Sequence, residues 1–436
     1  MTYKVKQIWG LGFLVFLTLL YLTIFIWGAG VPDESVTEIY FADRMTAAHE
    51  ILIDRYNKLH EGKVKVVPID FPNYDFSTDE RKEVLARALR GRGDGIDLFA
   101  VDLIWVQRFA KWSEPVDKYF TKQEQSKFLD IALESCYYEG ELVAIPLDLV
   151  QGVMYYREDL IKKYIKSEKV IEEINNGITW ERFIEVNNSI NIDNPKYIFP
   201  ASDFEGFICS FTELVTSQQP DYFDRMGFNL ENPVAEKSVQ LMVDLIYKYK
   251  ITPEVVSKLT EVTSYEYFMD HDGLFIHGWT SYGKDFEGVD FHKGEEATLK
   301  QVPVPYFKNG KPASILGGWN LMVSKFSNKK QETIDFVKFL LSDESQEIFF
   351  RESGYYPVVK EFYEKEGSKK KYPQLDQFDK FIETVVHRPA HVEYTKYSQI
   401  ISMYLKKAIK RELSIQEALS RATEAINDDR TTLLSE

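Results

Sequence analysis

Four consecutive residues, Gly317 to Asn320, combine side-chain types that suit contact with a small ring-shaped ligand. The glycines Gly317 and Gly318 let the backbone pass close to a bound molecule, because they carry no side chain. Trp319 offers a flat apolar face that can lie against the carbon side of a sugar ring, and Asn320 can add directional hydrogen bonds. The same residues also fit an ordinary turn beside a core tryptophan, so this stretch alone leaves both interpretations open.

The segments around this stretch predict a rigid α/β unit. The run from Ala313 to Leu341 reads as a Gly-Gly-Trp-Asn turn, a short apolar strand, a charged turn and an amphipathic helix. Near the amino terminus, residues 36–41 and 65–69 read as strands on either side of a helix at 46–60. A further buried strand at 96–101 ends at Asp102, so we expect a parallel sheet with helices on its faces. Ligands bind such sheets at the carboxyl ends of the strands, which makes Asp102 a candidate ligand residue.

The rest of the chain predicts a second, helix-rich lobe and three crossings between the lobes. Strands at 142–148 and 152–156 bracket a first crossing, the proline-containing segment 301–305 forms a second, and a third lies near Gly354. A strand at 274–277 leads into Trp279. Helical spacing of apolar residues occurs at 180–190, 205–215, 234–248, 265–271, 394–407 and 415–426.

Length and net charge limit the architectures and functions that are possible for this chain. A chain of 436 residues is too long for one ordinary core, which favours two lobes. Its 68 acidic and 53 basic residues give a net charge of -15, and this balance argues against a nucleic-acid-binding surface.

The amino terminus predicts export. Residues Trp9 to Trp27 form an uncharged apolar run about as long as a bilayer-spanning helix, preceded by Lys4 and Lys6. We expect an uncleaved membrane anchor, with a cleaved signal peptide as the alternative. The two cysteines, Cys136 and Cys209, are either buried small residues or a pair formed after export.

Signatures of catalysis are missing from the sequence. It contains no GxSxG, Walker loop, GxGxxG or HExxH motif, and Arg90 to Gly95 is rich in glycine without the required spacing. The seven histidines are scattered and lie away from the cysteines, so we expect no metal site and no cofactor. A pair of glycosidase carboxylates is not excluded, because 68 acids offer many combinations.

Several linked stretches resemble the extracellular solute-binding proteins of carbohydrate ABC importers, in particular the trehalose/maltose-binding branch. The resemblance covers about residues 36 to 428, and it rests on RKEVLARALRGRGDGIDLFAVDLIWVQRFAKW, LVAIPLDLVQGVMYYREDLIKKY, EGFICSFTELV, LMVDLIYKYKITPE, the GGWN run and RPAHVEYTKYSQI. It implies a two-lobed α/β fold of the type II periplasmic-binding-protein class, with hinge crossings and a ligand cleft. It also implies an extracytoplasmic, non-catalytic monomer that delivers a carbohydrate to an ABC permease. The implied organisation is residues 1–35 as anchor or signal, 36–146 with 303–350 as the first lobe, and 147–302 with 351–436 as the second.

The resemblance also implies ligand positions where this sequence matches the family pattern. The matching residues are Arg81, Asp102, Trp279, Gly318, Trp319 and Arg388, and Asp148 matches a pattern in other sugar binders. Charged members would hold pairs of hydroxyls and the indoles would cover the ring. For the charged residues the alternative is a structural ion pair, and for Trp279 a place in the core.

Two departures concern specificity. Val150 stands where the trehalose/maltose branch has an acid two residues before the glycine of its GLLYY strand, and Ala47 and Ala48 lie where another acidic contact is expected. We therefore assign neither trehalose nor maltose. A membrane-anchored sugar sensor and a glycoside-active enzyme remain the alternative functions.

Overall fold

The computed structural model describes residues 36–428, apart from 73–77, 93–94, 286–297, 366, 373–374, 376–377 and 379–381. The predicted membrane segment from Trp9 to Trp27 lies outside the described residues. Within the described part we find no helix with the length and apolar character needed to cross a bilayer.

Strands and helices alternate through the first part of the chain, and helices dominate the rest. The strands are β1 Thr37–Asp43, β2 Val64–Asp70, β3 Leu98–Asp102, β4 Tyr137–Tyr138, β5 Glu141–Leu142, β6 Ile145–Arg157, β7 Tyr197–Ile198, β8 Phe275–Trp279, β9 Leu299–Val302, β10 Ser314–Val323 and β11 Val385–Val386. The α-helices are α1 Ala47–Leu59, α2 Thr78–Arg90, α3 Val106–Phe109, α4 Lys122–Gln125, α5 Asp130–Glu134, α6 Glu158–Tyr164, α7 Glu168–Asn175, α8 Trp180–Ser189, α9 Glu205–Gln218, α10 Tyr222–Met226, α11 Pro233–Tyr247, α12 Glu261–Asp270, α13 Tyr282–Asp285, α14 Lys330–Leu340, α15 Asp343–Ser353, α16 Lys360–Glu364, α17 Ser368–Lys371, α18 Tyr394–Ile409 and α19 Ile415–Asn427.

Local sequence explains where several helices begin and end. The Asn232 side chain accepts hydrogen bonds from the first backbone N–H groups of α11, and Pro233 follows at the first helical position. Thr179 caps α8 in the same way. Gly354 ends α15 in the left-handed conformation with φ 69°, which glycine adopts at little cost. The predicted helices at 180–190 and 234–248 are thereby confirmed with small shifts at their ends.

The main sheet is mixed. Among the described residues it contains nine strands, with the order β2-β1-β3-β10-β6-β8-β7, and with β11 beside β10 and β9 beside β6. β1 runs parallel to β2 and β3, as expected from the sequence. β10 returns from the second half of the chain and runs antiparallel to β3 and β6, so the prediction of a parallel sheet is wrong for these strands.

The first crossing lies inside one strand. We predicted separate strands at 142–148 and 152–156, but β6 runs without a break from Ile145 to Arg157 and is buried throughout. It pairs with β10 up to Gln151 and with β8 from Gly152 onward. The chain therefore crosses by changing strand partners rather than by leaving the sheet.

The predicted Gly-Gly-Trp-Asn turn is also wrong, because these residues lie within β10. Gly318 has φ 141°, and a Cβ atom there would lie 2.3 Å from the backbone oxygen of Asp148. The pairing register shifts between Trp319 and Asn320, which is a β-bulge. The glycines thus allow close approach of β6 and irregular pairing.

Two clusters of buried apolar side chains form two cores. The first cluster draws on residues 39–150 and 316–378 with Tyr394, and the second on 153–307 and 401–426. Trp279 packs against both clusters. The proposed lobe limits at 146/147, 302/303 and 350/351 stay a prediction, and this packing favours later crossings, near Val150 and Phe307.

Candidate functional site

Three of the sequence-predicted residues form a row across three adjacent strands. Trp319 on β10 stands opposite Asp102 at the end of β3 and opposite Asp148 on β6. Residues opposite each other on paired strands lie on one face of a sheet, so this register brings the indole and two carboxyl groups together. Trp319 is partly exposed, whereas both aspartates are buried.

The second candidate indole lies on β8, the strand next to β6. Trp279 ends β8 opposite Gly152 of β6. A Cβ atom at Gly317 would lie 2.9 Å from Cζ3 of the Trp279 ring, so the missing side chain makes room for the indole. Trp279 is partly exposed and lies between the two cores.

A partly buried glutamate that the sequence did not single out orients this indole. The Trp279 Nε1–H donates to Glu261 Oε1 at 2.6 Å, and Glu261 is the first residue of α12. Burial raises the pKa of the Glu261 carboxyl above its usual value, and the indole hydrogen bond partly offsets this. The only sequence signal for Glu261 was its negative charge in the first turn of a helix.

Arg81 covers the exposed ring of Trp319. Its guanidinium carbon lies 3.9 Å from the ring centroid, which is cation–π stacking distance. Burial lowers the pKa of Arg81. The space beside this pair is about 10 Å³ and is lined by Asp43, Phe71, Arg81, Lys82, Leu85, Ala100, Val101, Trp105, Phe109 and Trp319. That volume suits about one water molecule, so no sugar fits beside this pair in this conformation.

The charged candidates Asp102 and Arg388 bind each other. Arg388 Nη2 donates to Asp102 Oδ1 at 2.5 Å, and Nη1 donates to Glu205 Oε1 at 3.0 Å. Tyr394 OH donates to the same Glu205 oxygen at 2.5 Å. Asp102 also accepts from the backbone N–H of Ile104, at the start of a short 3-10 turn.

This network joins the two cores. Asp102 ends β3 in the first core, and Glu205 begins α9 in the second. The backbone N–H of Glu205 also donates to Asp79 of α2, which is a second contact between the cores. Burial alone would lower the pKa of Arg388, but the two carboxylates raise it well above its usual value. Its guanidinium is therefore a fixed positive charge at the junction.

Asp148 is the opposite case. It is 1% exposed, and among the described residues neither carboxyl oxygen has a hydrogen-bond partner of good geometry. Burial raises the pKa of Asp148 well above its usual value, and the nearby carboxylate of Asp43 adds to the shift. The Trp319 backbone offsets part of it. Asp148 therefore has unused capacity to bind a polar group.

A further ion pair links the cores beside Asp148. Arg44, just after β1, donates to Asp285 at the end of α13. Burial alone would lower the pKa of Arg44, but Asp285 raises it. Asp43 also lies 3.3 Å from His49 Nε2. The sequence did not point to Arg44 or Asp285, because their closeness depends on how the two halves pack.

The structure brings all seven predicted site residues to the junction of the cores, and their role in ligand binding stays a prediction. Cys136 and Cys209 are both buried and unpaired, which contradicts the disulfide alternative. Among the described residues, no cluster of histidines, cysteines and acids could hold a metal ion.

Two α/β cores, joined by strands that pass from one to the other and lined at the junction by indoles and charged groups, define a two-lobed ligand-binding protein. The family model of bacterial extracellular solute-binding proteins matches residues 39–347, and the chain belongs to this family. Its location is therefore extracytoplasmic, and the family is a receptor family rather than an enzyme family.

Individual relatives agree with this assignment. A probable ABC transporter-binding protein of Deinococcus radiodurans is 24% identical over 333 residues, which cover 74% of this chain and 76% of that protein. The maltose-bound structure of MalE3 from T. maritima has a TM-score of 0.78 at 24% identity, and the match covers 90% of this chain and 100% of that one. A solute-binding protein of Thermotoga lettingae TMO, bound with α-D-tagatose, has a TM-score of 0.75 at 20% identity, with coverage of 90% and 99%. At these identities the structural likeness shows the fold.

Proposed function

We propose that this protein is an extracytoplasmic receptor that captures a carbohydrate between its lobes and delivers it to an ABC-type permease. The observation that carries the proposal is the row of Asp102, Trp319 and Asp148 across three strands. An indole flanked by two carboxyl groups matches the two surfaces of a sugar, because its C–H face is apolar and its rim of hydroxyls is polar. The sugars named for the related structures support this ligand class.

The position of Arg81 defines what must move before a sugar can reach Trp319. Arg81 lies on the Trp319 face, so a stacked sugar needs this guanidinium to move aside while the lobes separate. Ligand binding then selects a closed form in which Arg81 contacts the sugar rim instead of the indole. Asp148 supplies unused acceptors, and Trp279 covers the second face of the ligand.

We further propose that the protein acts as a monomer, that residues 1–35 anchor it to the membrane, and that it performs no catalysis. The two lobes follow the two cores, residues 39–150 with 316–378 and residues 153–307 with 401–426, and β6 carries the chain across. An N-terminal anchor would keep the receptor close to its permease, which raises its effective concentration there.

Calorimetry with wild-type protein and the variants Trp319→Ala and Trp279→Ala tests the sugar site. The panel comprises maltose, maltotriose, α-D-tagatose and cycloalternan. Loss of one stacked indole removes about 1.5 to 3 kcal/mol, so affinity for the bound sugar should fall at least about tenfold in each variant. Trp180→Phe is the matched control, because Trp180 is buried in the second core. Equal sugar affinity in the wild type and both indole variants would contradict a binding site formed by Trp279 and Trp319.

A further inference from the structure

A buried carboxylate lies where the chain passes from one core to the other. Glu213 belongs to α9 and is buried. Its Oε1 accepts a hydrogen bond from the backbone N–H of Ile315 on β10 at 3.1 Å. Its Oε2 lies 2.8 Å from Nε2 of His277 on β8. One side chain from a helix of the second core therefore holds two strands of the sheet at once.

The third strand at this point makes room for the carboxylate. Gly152 is the residue at which β6 exchanges β10 for β8 as its partner. A Cβ atom at Gly152 would lie only 2.2 Å from Glu213 Oε1, so any larger residue would displace the carboxylate. Ser314 of β10 donates its hydroxyl to the Gly152 carbonyl, which ties the same two strands together. Three strands thus meet around one acidic group.

Burial of the Glu213 carboxyl group costs stability, and the contacts of this group must offset that cost. α9 is buried along almost its whole length, from Glu205 to Ser217. A carboxylate inside such a helix loses its hydration, and an apolar residue of similar size would often stabilise the fold as well or better. A charged group with fixed partners does provide directional contacts that apolar packing does not.

The strands held by Glu213 carry the two candidate indoles. His277 precedes Trp279 by two residues on β8, and Ile315 precedes Trp319 by four on β10. A displacement of either strand at the Glu213 contact would therefore change the angle between the indoles. The hydrogen-bond partners of the carboxylate on these strands are His277 and the Ile315 N–H, which both precede the indoles along the chain.

We propose that Glu213 is a positioning residue that fixes β8 and β10 relative to each other at the hinge, and thereby sets how the Trp279 and Trp319 indoles face each other when the lobes close. The part of the proposal that concerns ligand rests on the proposed function. The hinge geometry itself does not depend on which sugar binds.

Four variants separate this role from simple packing. Glu213→Leu removes both contacts, and Gly152→Ala displaces the carboxylate without changing it. Glu213→Gln keeps an acceptor for the Ile315 N–H and a partner for His277. Ser210→Ala is the packing control, because Ser210 is buried on the same helix and lines a small space beside Glu213.

The first measurement is the distance distribution between the lobes without sugar. Spin labels on Lys127→Cys and Lys169→Cys mark exposed positions on the two halves, and buried Cys136 and Cys209 stay unlabelled in the folded protein. We expect Glu213→Leu and Gly152→Ala to broaden or shift the distribution by electron–electron double resonance. Glu213→Gln and Ser210→Ala should match the wild type. If Glu213→Leu does not fold, Gly152→Ala still tests the contact.

The second measurement is affinity for the panel sugar that the wild type binds. If the fraction of molecules able to close around the sugar falls to about a tenth of the wild-type fraction, the apparent affinity of Glu213→Leu and Gly152→Ala falls about tenfold. Glu213→Gln should stay within about threefold of the wild type. Unchanged distances in both disruptive variants would overturn the proposal, as would a Gln variant as defective as Leu. Absence of sugar binding by the wild type would instead refute the proposed function, while the distances would still test the hinge.

Discussion

Two aspartates on either side of Trp319 meet opposite environments. Asp102 accepts a charged hydrogen bond from Arg388 and another from the Ile104 N–H. Asp148 is more deeply buried and has no such partner among the described residues. The strands place both carboxyl groups opposite Trp319, and the difference comes from the hydrogen-bond donors that lie against each one.

This contrast separates a carboxyl group held in an ion pair from one whose acceptor oxygens are unused. A buried carboxylate with a matched guanidinium is satisfied, and removing either partner leaves an uncompensated charge. A buried carboxylate without a partner already destabilises the fold, and it keeps free acceptor capacity for a ligand hydroxyl. We therefore expect Asp102 to contribute more to holding the two cores together, and Asp148 more to ligand binding.

Loss of the Arg388 guanidinium should have the largest effect on stability. Arg388→Met leaves Asp102 and Glu205 buried without their cation, and we expect the free energy of unfolding to fall by about 3 to 5 kcal/mol. Urea denaturation measures this. Arg421→Met is the control, because the exposed Arg421–Glu417 pair should contribute less than about 0.5 kcal/mol. A loss below about 1 kcal/mol in Arg388→Met would show that the network is not structural.

Neutralising Asp148 should raise the free energy of unfolding, whereas Arg388→Met lowers it. Burial raises the pKa of Asp148 in the folded protein above the value of about 3.9 expected when unfolded. Between these two pKa values the folded state holds more protons, so wild-type stability falls as pH rises through that interval. Asp148→Asn avoids this loss, and we expect it to be about 1 to 3 kcal/mol more stable than the wild type at pH 8.

Denaturation of Asp148→Asn and wild type from pH 4 to 8 measures this difference, which should shrink toward pH 4. Asp102→Asn is the matched comparison and should be destabilising, since Arg388 then loses an anionic partner. Destabilisation by Asp148→Asn at pH 8 would mean that the carboxylate has a partner after all.

The smallest effect should come from Arg81. Arg81→Gln removes the stacking on Trp319, which contributes about 0.5 to 2 kcal/mol, but it also removes the cost of burying the guanidinium. We expect the net change in the free energy of unfolding to stay within about 1 kcal/mol by urea denaturation. A loss above about 3 kcal/mol would place Arg81 with Arg388 as a structural group.

Local patterns predicted most elements near their observed limits, including β1 to β3, α8, α11 and the two carboxyl-terminal helices. They failed at Gly317 and Gly318, because paired glycines favour a turn unless neighbouring strands hold them extended. They also failed at the middle of β6, which was predicted as two strands. A change of the paired strand has no sequence signal within a continuous buried strand. Glu205 and Glu213 are marked in the sequence only as the two charged residues of a helix that is otherwise uncharged.

The sequence by itself determined the α/β class, the family resemblance and the identities of the candidate ligand residues, because these follow from residue types and their spacing along the chain. The tertiary structure alone decided that Asp102 is paired while Asp148 has no hydrogen-bond partner among the described residues, that Arg81 lies on Trp319, and that Glu213 links β8 to β10. These contacts join residues distant in sequence, and their strength depends on burial and on the charges placed opposite each group by the fold.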